Sequence, residues 1–359
     1  MPLVLGIETS CDDTACAVLD GEGRVLSSVV SSQLAAHRPY GGVVPEIASR
    51  EHLTNWPLVS GEALERAGVS LAEVGVVAAT RGPGLVGALL VGLSVGKAIA
   101  FASGLPFHAV HHLEGHLFSP FLRPPPPGAE PEPAEPPPSR FLGLVVSGGH
   151  TSLFAVDEGR VETLGETRDD AMGEVFDKVG KRLGLPYPQG PRVDELAERG
   201  LPGGSGGSGA RLFRFATCGD TLDFSYSGLK SQALQEIEKL ERTLGRIDLG
   251  GDAEPAQPVL DLLADFRAAA VAQVLDRLDR LQAREPIGLL AVSGGAAANR
   301  LLRRELPDWA RRNGVDLRLV PTVYSGDNAA MIAHAALLRH RRGLPADLFS
   351  AEAESRIPL

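Results

Sequence analysis

The sequence predicts an α/β fold with largely parallel sheets, assembled from two duplicated domains. Three observations predict it: strand and helix patterns alternate along most of the 359 residues, the first half is repeated in the second, and three strands end in small-residue turns. Leu5-Gly6-Ile7-Glu8-Thr9-Ser10 leads through Thr14 to Ala17-Val18-Leu19-Asp20-Gly21-Glu22-Gly23-Arg24-Val25. Leu142-Gly143-Leu144-Val145-Val146-Ser147 leads through Thr151 to Ala155-Val156-Asp157-Glu158-Gly159-Arg160-Val161. Each copy reads as strand, polar turn, strand, tight acidic-glycine turn, strand. Helical pattern follows each, over 45–67 and 170–183. Self-similarity on that scale is most simply a repeat of whole domains.

The remaining elements follow in order. Residues 74–80 read as a buried strand and 84–103 as a helix. The apolar stretch 84–102 has the length of a membrane span, but it carries Lys97 and four glycines. It is read as a buried core helix packed through its small residues. Residues 261–282 read as a helix, 288–292 as a strand, 297–312 as a helix, 317–320 as a strand and 327–342 as a helix. Alternation of this kind places helices on both faces of a sheet. In such folds ligands bind beyond the carboxyl ends of the strands. The expected organisation is a first lobe over 1–122, a Pro/Glu-rich linker over 123–139, a second lobe over 140–345 and a tail over 346–359. Residues 201–209 and 245–258 read as flexible surface loops.

A formal net charge of -10 excludes nucleic-acid binding by overall charge. Local basic clusters exist at Arg300, Arg303, Arg304, Arg311 and Arg312, and at Arg339, Arg341 and Arg342. Their default reading is solvated helix faces. Three cysteines, Cys11, Cys16 and Cys218, point to a reducing compartment without a disulfide framework. The first residues show no basic leader ahead of an apolar run, so no secretory signal is expected.

The chemistry concentrates at turns. His112-Leu113-Glu114-Gly115-His116 places two imidazoles four residues apart. In a helix they share one face, one turn apart, and neutral imidazole ligates zinc or iron. The order differs from the zinc-peptidase signature, which needs Glu directly after the first His. The alternative is a helix start with ordinary surface histidines. Ser147-Gly148-Gly149-His150-Thr151 and Ser293-Gly294-Gly295 end two strands. Such turns let backbone N–H groups approach a phosphate or acyl phosphate, although they are also common as plain structural turns. Of Asp12 and Asp13, adjacent on a strand, at most one faces a site. Asp327, in Ser325-Gly326-Asp327-Asn328, is by default a helix N-cap. It is equally a carboxylate able to join His112 and His116. Tyr187-Pro188-Gln189-Gly190-Pro191-Arg192-Val193-Asp194 reads as a rigid loop, either a pocket wall or a connector.

Seven motifs, in one order, resemble a single family. They are Gly6-Ile7-Glu8-Thr9-Ser10-Cys11-Asp12, His112-Leu113-Glu114-Gly115-His116, Ser147-Gly148-Gly149-His150-Thr151, Phe176-Asp177-Lys178, Tyr226-Ser227-Gly228-Leu229-Lys230, Ser293-Gly294-Gly295 with Asn299, and Ser325-Gly326-Asp327-Asn328. The chain looks like a tRNA threonylcarbamoyladenosine transferase, a family once called O-sialoglycoprotein endopeptidases. The resemblance implies two duplicated actin-like (ribonuclease H-like) lobes around a central nucleotide cleft. It implies one divalent metal, iron or zinc, on His112, His116 and Asp327, and an adenine nucleotide. Val145, Val146, Ser147, Gly148, Gly149, Asp177, Gly190, Asp194 and Asn299 then line the donor site. The implied reaction moves threonylcarbamoyl from threonylcarbamoyl-AMP to N6 of the adenosine 3′ of the anticodon, in tRNAs reading codons that start with A. Asp12 is the expected proton acceptor. The implied partners are tRNA, a shorter paralogue of the same fold and a small P-loop ATPase, in the cytoplasm and without a membrane. The competing readings are a metal-dependent glycoprotein endopeptidase and a non-catalytic nucleotide-binding module. A sugar kinase fits less well, because magnesium prefers oxygen ligands. Two departures stand out: Gln189 occupies a usual glycine position, and Ala216-Thr217-Cys218-Gly219-Asp220 replaces the family's Pro-Arg-Pro segment.

Overall fold

The computed structural model describes residues 2–124, 128, 130–203, 212–251, 254–348 and 350–359. They form two compact units, Met1–Pro138 with Leu319–Leu359, and Ser139–Arg318. The first unit begins with β1 (Leu3–Glu8), β2 (Asp13–Leu19) and β3 (Val25–Ser32). A short α1 (Leu34–His37) and the long α2 (Pro45–Ala67) follow, then β4 (Val74–Gly82), α3 (Val86–Ser103), β5 (Phe107–His111) and α4 (His112–Phe118). Its sheet runs β3-β2-β1-β4-β5, with β1–β2 and β2–β3 antiparallel and β1–β4 and β4–β5 parallel.

The second unit repeats the opening with β6 (Arg140–Val146), β7 (Thr151–Asp157) and β8 (Arg160–Glu166). It continues through α5 (Met172–Arg182), α6 (Gln189–Ala197), α7 (Ser227–Leu244), α8 (Gln257–Arg284), β9 (Leu289–Ser293), α9 (Arg300–Asn313) and β10 (Asp316–Leu319). Its sheet runs β10-β9-β6-β7-β8, again two antiparallel pairs beside a parallel one. The last helix, α10 (Ala329–Arg341), belongs to the first unit.

Successive residues of β1 serve different layers, as strand geometry requires. Val4 joins Ala15, Ala17, Val76 and Ala78 against the alanine-rich α10. Leu5 and Ile7 join Val77, Ala79, Phe107, Val59 and Leu93 on the α2 and α3 side. Strands buried on both faces read as continuous apolar runs, which is why β1, β4 and β6 were legible. Gly6 lets α10 come close, because a Cβ there would lie 2.4 Å from the Ala329 carbonyl oxygen.

Several expectations are corrected. The expected second lobe ran to residue 345, but 319–345 group with the first unit, where the alanines of α10 pack on its sheet. The described residues of 123–138 also group with the first unit, where the Glu135 N–H donates to the Phe121 carbonyl. The expected tail packs on the same unit: Asp347 accepts from the Ala109 N–H, and Glu354 pairs with Arg81. Helix α3 buries one face, with Gly92 and Gly96 against Thr9, Ile7, Ala79 and Phe107. Its other face leaves Val86, Leu90 and Phe101 exposed, so it is only half a core helix. The loop expected over 187–194 becomes α6 from Gln189 onward, because a proline in the first helical turn forfeits no intrahelical bond. Of the expected loop 201–209, residues 204–209 lie outside the described residues.

Candidate active site

The first cluster is built by α4 and the turn ahead of α10. Helix α4 starts where β5 ends, and all seven of its residues are buried. His111 caps it: its Nδ1 accepts the Leu113 N–H at 3.1 Å, so its Nε2 carries the proton and donates to the Ile357 carbonyl at 3.0 Å. Gly115 lets α4 press on α10, where a Cβ would come within 2.9 Å of Ile332. Arg339 of α10 grips both carboxylate oxygens of Glu114, at 2.9 and 2.5 Å. The one acid between the two histidines is therefore held in an ion pair, away from any role as a peptidase base.

This packing brings His112, His116 and Asp327 together, with ligand atoms all within 4.8 Å of one another. His116 Nε2 lies 3.2 Å and His112 Nε2 3.5 Å from Asp327 Oδ1. The rings meet edge-on with centroids 4.7 Å apart. Asp327 is not the N-cap of α10. Asn328 is, accepting the Met331 N–H at 3.0 Å, which leaves the Asp327 carboxylate for the histidines.

Glu8, fully buried at the end of β1, completes the cluster and was given no role in the sequence reading. Its carboxylate accepts from Ser10 N at 2.5 Å, Thr80 Oγ1 at 2.6 Å and His112 Nδ1 at 3.2 Å. That bond orients the His112 ring with Nε2 toward Asp327. The available signal was an acid closing an otherwise apolar buried strand. Burial opposes charge on His112, but Asp327 and Glu8 outweigh it and raise the imidazole to about 9. Burial also opposes charge on Glu8, and His112 reverses the balance so that the carboxyl falls below its usual range. For His116 burial prevails over the Asp327 hydrogen bond and lowers it.

Asp12 lies in the turn joining β1 and β2, where its carbonyl accepts the Gln33 N–H. Asp13 opens β2, so the two acids do not share a strand as expected. Burial, with the Asp327 and Asp12 carboxylates, raises Asp13 to about 7.

The second cluster lies within the second unit. Parallel pairing of Val145 with Ser293 sets the two Ser-Gly-Gly turns side by side at the carboxyl ends of β6 and β9. Val145 and Val146 are core residues, and Ser147 Oγ accepts the His150 N–H at 3.1 Å. At Gly148 and Gly149 an added Cβ would meet nothing within 4 Å, so the turn faces open space. Gly294, at φ +96°, lies under Val146, whose carbonyl oxygen a Cβ would approach to 2.3 Å. Asp177 accepts the Gly190 N–H at 2.7 Å. Asp194 accepts from Asn299 Nδ2 at 2.8 Å, Arg300 N at 3.0 Å and Arg267 at 3.1 Å, while Asn299 caps α9. Asp177 therefore braces the start of α6, and Asp194 braces the start of α9 that follows the second turn. Gln189 is buried against Gly180 of α5, so its extra bulk goes into helix packing.

Known proteins share this architecture. The family model for tRNA N6-adenosine threonylcarbamoyltransferase matches residues 24–334. A protein of that name from Pelobacter propionicus is 49% identical over 332 residues, covering 92% of this chain and 90% of that one. Another, from Geobacillus kaustophilus, is 43% identical over 358 residues, covering 99% and 96%. Among solved structures, T. kodakarensis HypF superposes with a TM-score of 0.60 at 14% identity, over 96% of this chain and 48% of that one. Component A of the Acidaminococcus fermentans (R)-2-hydroxyglutaryl-CoA dehydratase superposes with a TM-score of 0.50 at 13% identity, over 95% and 99%. These likenesses give the fold, which is that of the actin-like ATPases. The chain belongs to the tRNA N6-adenosine threonylcarbamoyltransferase family and is an enzyme of the transferase class.

Proposed function

We propose that the chain transfers threonylcarbamoyl from threonylcarbamoyl-AMP to N6 of the adenosine 3′ of the anticodon, in tRNAs reading codons that start with A. The observation that carries this is the convergence of His112, His116 and Asp327 in a chain of this family. Two imidazole nitrogens and one carboxylate suit iron or zinc, and the Nε2 atoms already face Asp327 Oδ1. His112 and His116 through Nε2, with Asp327 through Oδ1, would hold the ion. When bound, it supplies Lewis-acid chemistry that offsets negative charge on donor oxygens.

The chain's own residues do the rest. Gly148 and Gly149 leave room for the phosphate of the adenylate beside backbone N–H groups. Asp194 and Asn299 hold the start of α9, after the Ser293-Gly294-Gly295 turn, and Asp177 holds Gly190 at the start of α6. The adenine amine is a weak nucleophile because its lone pair is delocalised, so most of the acceleration comes from orientation. The target base must leave its stack to react. Asp12 takes the amine proton. We assign the work to the cytoplasm, with a shorter paralogue of the same fold and a small P-loop ATPase as partners, on the strength of family membership.

Nucleoside mass spectrometry of tRNA from depleted cells tests this. The threonylcarbamoylated adenosine should vanish, return with the wild-type gene, and stay absent with His112→Ala. Normal levels after depletion overturn the proposal.

A further inference from the structure

The turn after α1 shows a combination that the metal and glycine-rich clusters leave unexplained. Arg38, Pro39 and Tyr40 form one tight turn closed by Gly41, which is left-handed at φ 64°. Tyr40 is 60% exposed, whereas Tyr226 and Tyr324 are fully buried. Arg38 is exposed and meets no carboxylate among the described residues. Elsewhere in this unit Arg24, Arg66, Arg81, Arg123 and Arg339 are ion-paired, whereas the exposed Arg50, Arg342 and Arg356, like Arg38, meet no carboxylate among the described residues. What sets this turn apart is that one tight turn presents both an exposed aromatic ring and a guanidinium without a carboxylate partner among the described residues.

The turn is held from beneath by a buried polar relay. Gln33, His37 and His52 are each at most 2% exposed. The Val44 N–H donates to His37 Nδ1 at 3.3 Å, so His37 Nε2 bears a proton and donates to Gln33 Oε1 at 3.1 Å. Gln33 Nε2 donates to His52 Nδ1 at 3.2 Å, and His52 Nε2 donates to the Cys11 carbonyl at 3.0 Å. Every donor in that series meets an acceptor, which fixes both ring tautomers. The relay ends at Cys11, next to Asp12, and Gln33 N also donates to the Asp12 carbonyl. Three buried polar side chains thus fix an exposed Arg-Pro-Tyr turn relative to the residue assigned the amine proton.

We propose that this turn receives single-stranded nucleotides of the tRNA loop, with Tyr40 stacking on a base and Arg38 meeting a phosphate. Splayed loop bases are read by aromatic faces, and arginine adds a charge-assisted phosphate contact. The relay ties this turn to the backbone at Cys11 and Asp12, which suits a nucleotide flanking the reacting adenosine. This rests on the proposed function, which supplies tRNA as the partner.

The test is equilibrium binding of the full chain to a tRNA transcript carrying the target adenosine, across a salt series. Tyr40→Ala should weaken binding roughly ten- to hundredfold. Tyr40→Phe and Tyr40→Trp should restore it to within about threefold, which a purely structural role would not require. Arg38→Ala should lower the salt slope by about one. Zinc affinity of the tRNA-free variants should match wild type. Wild-type affinity in Tyr40→Ala, failure of Tyr40→Trp to restore it, or no measurable tRNA affinity in the wild-type chain overturns the proposal. tRNA that is bound through Tyr40 yet stays unmodified when threonylcarbamoyl-AMP and both partner proteins are supplied would instead refute the proposed activity and leave this surface standing.

Discussion

Glu8→Gln isolates the carboxylate that orients His112. In the wild type one Glu8 oxygen accepts from Ser10 N and the other from Thr80 Oγ1 and His112 Nδ1. An amide keeps the shape but turns one of these oxygens into a donor. If its nitrogen faces His112, the proton moves to Nε2, the atom that points at Asp327. If its nitrogen faces Ser10, two buried N–H groups oppose each other at a cost of about 1–3 kcal/mol. Neither arrangement serves both partners. Loss of a carboxylate behind a ligating histidine weakens metal affinity by about 10- to 100-fold, equal to roughly 1.4–2.8 kcal/mol. Titration of metal-free protein with zinc against a chelating dye reads this directly, and cobalt absorption reports the ligand field. His112→Ala provides the null. Zinc affinity in Glu8→Gln within twofold of wild type would refute the orienting role.

Three further outcomes are expected. His334 is buried in α10 with Nδ1 unpartnered among the described residues, and burial, helped by Arg341, lowers it to about 4. The unfolded chain binds that proton near 6.5, so this stability is whole above pH 6.5 and is lost as pH falls toward 4, by about 3 kcal/mol. His334→Leu should flatten melting temperature against pH over that window; an unchanged slope counts against the assignment. Gly6→Ala should force α10 off β1, because its Cβ would lie 2.4 Å from Ala329 O and 2.8 Å from Ala333 Cβ. We expect about 1–3 kcal/mol of destabilisation, several degrees in melting temperature, and weaker zinc binding as Asp327 shifts; calorimetry and the same titration check both. Gly148→Ala meets no neighbour, so stability should stay within about 0.5 kcal/mol while adenine-nucleotide affinity falls. Unimpaired nucleotide binding would remove that turn from the phosphate site.

Much of this arrangement was legible because burial leaves a periodic signature. The repeated strand-turn-strand openings became β1–β3 and β6–β8, and helix α2 occupies 45–67 as read. The two histidines share α4 because it continues directly from β5. Other features depend on contacts distant in sequence. The N-cap preference pointed to Asp327, whereas the cap is the next residue, Asn328, whose side chain accepts the Met331 N–H. Glu8 stood inside a recognised motif, but its value comes from Thr80 and His112, 72 and 104 residues away. Asp194 and Asn299 were expected to face a ligand; their side chains bind each other, and Asp194 also accepts from Arg267. The boundary at residue 345 failed because chain order carries no sign that α10 returns to the first sheet.

That return has a consequence for biosynthesis. His116 and Asp327 are 211 positions apart, and the sheet that backs them is covered by a helix made after the entire second unit. A nascent chain can finish its second unit while the first still lacks one apolar cover and its carboxylate. The three residues proposed to hold an ion can therefore come together only in chains whose translation has passed α10. Prematurely terminated products would be left with an uncovered β-surface that quality-control proteases can recognise.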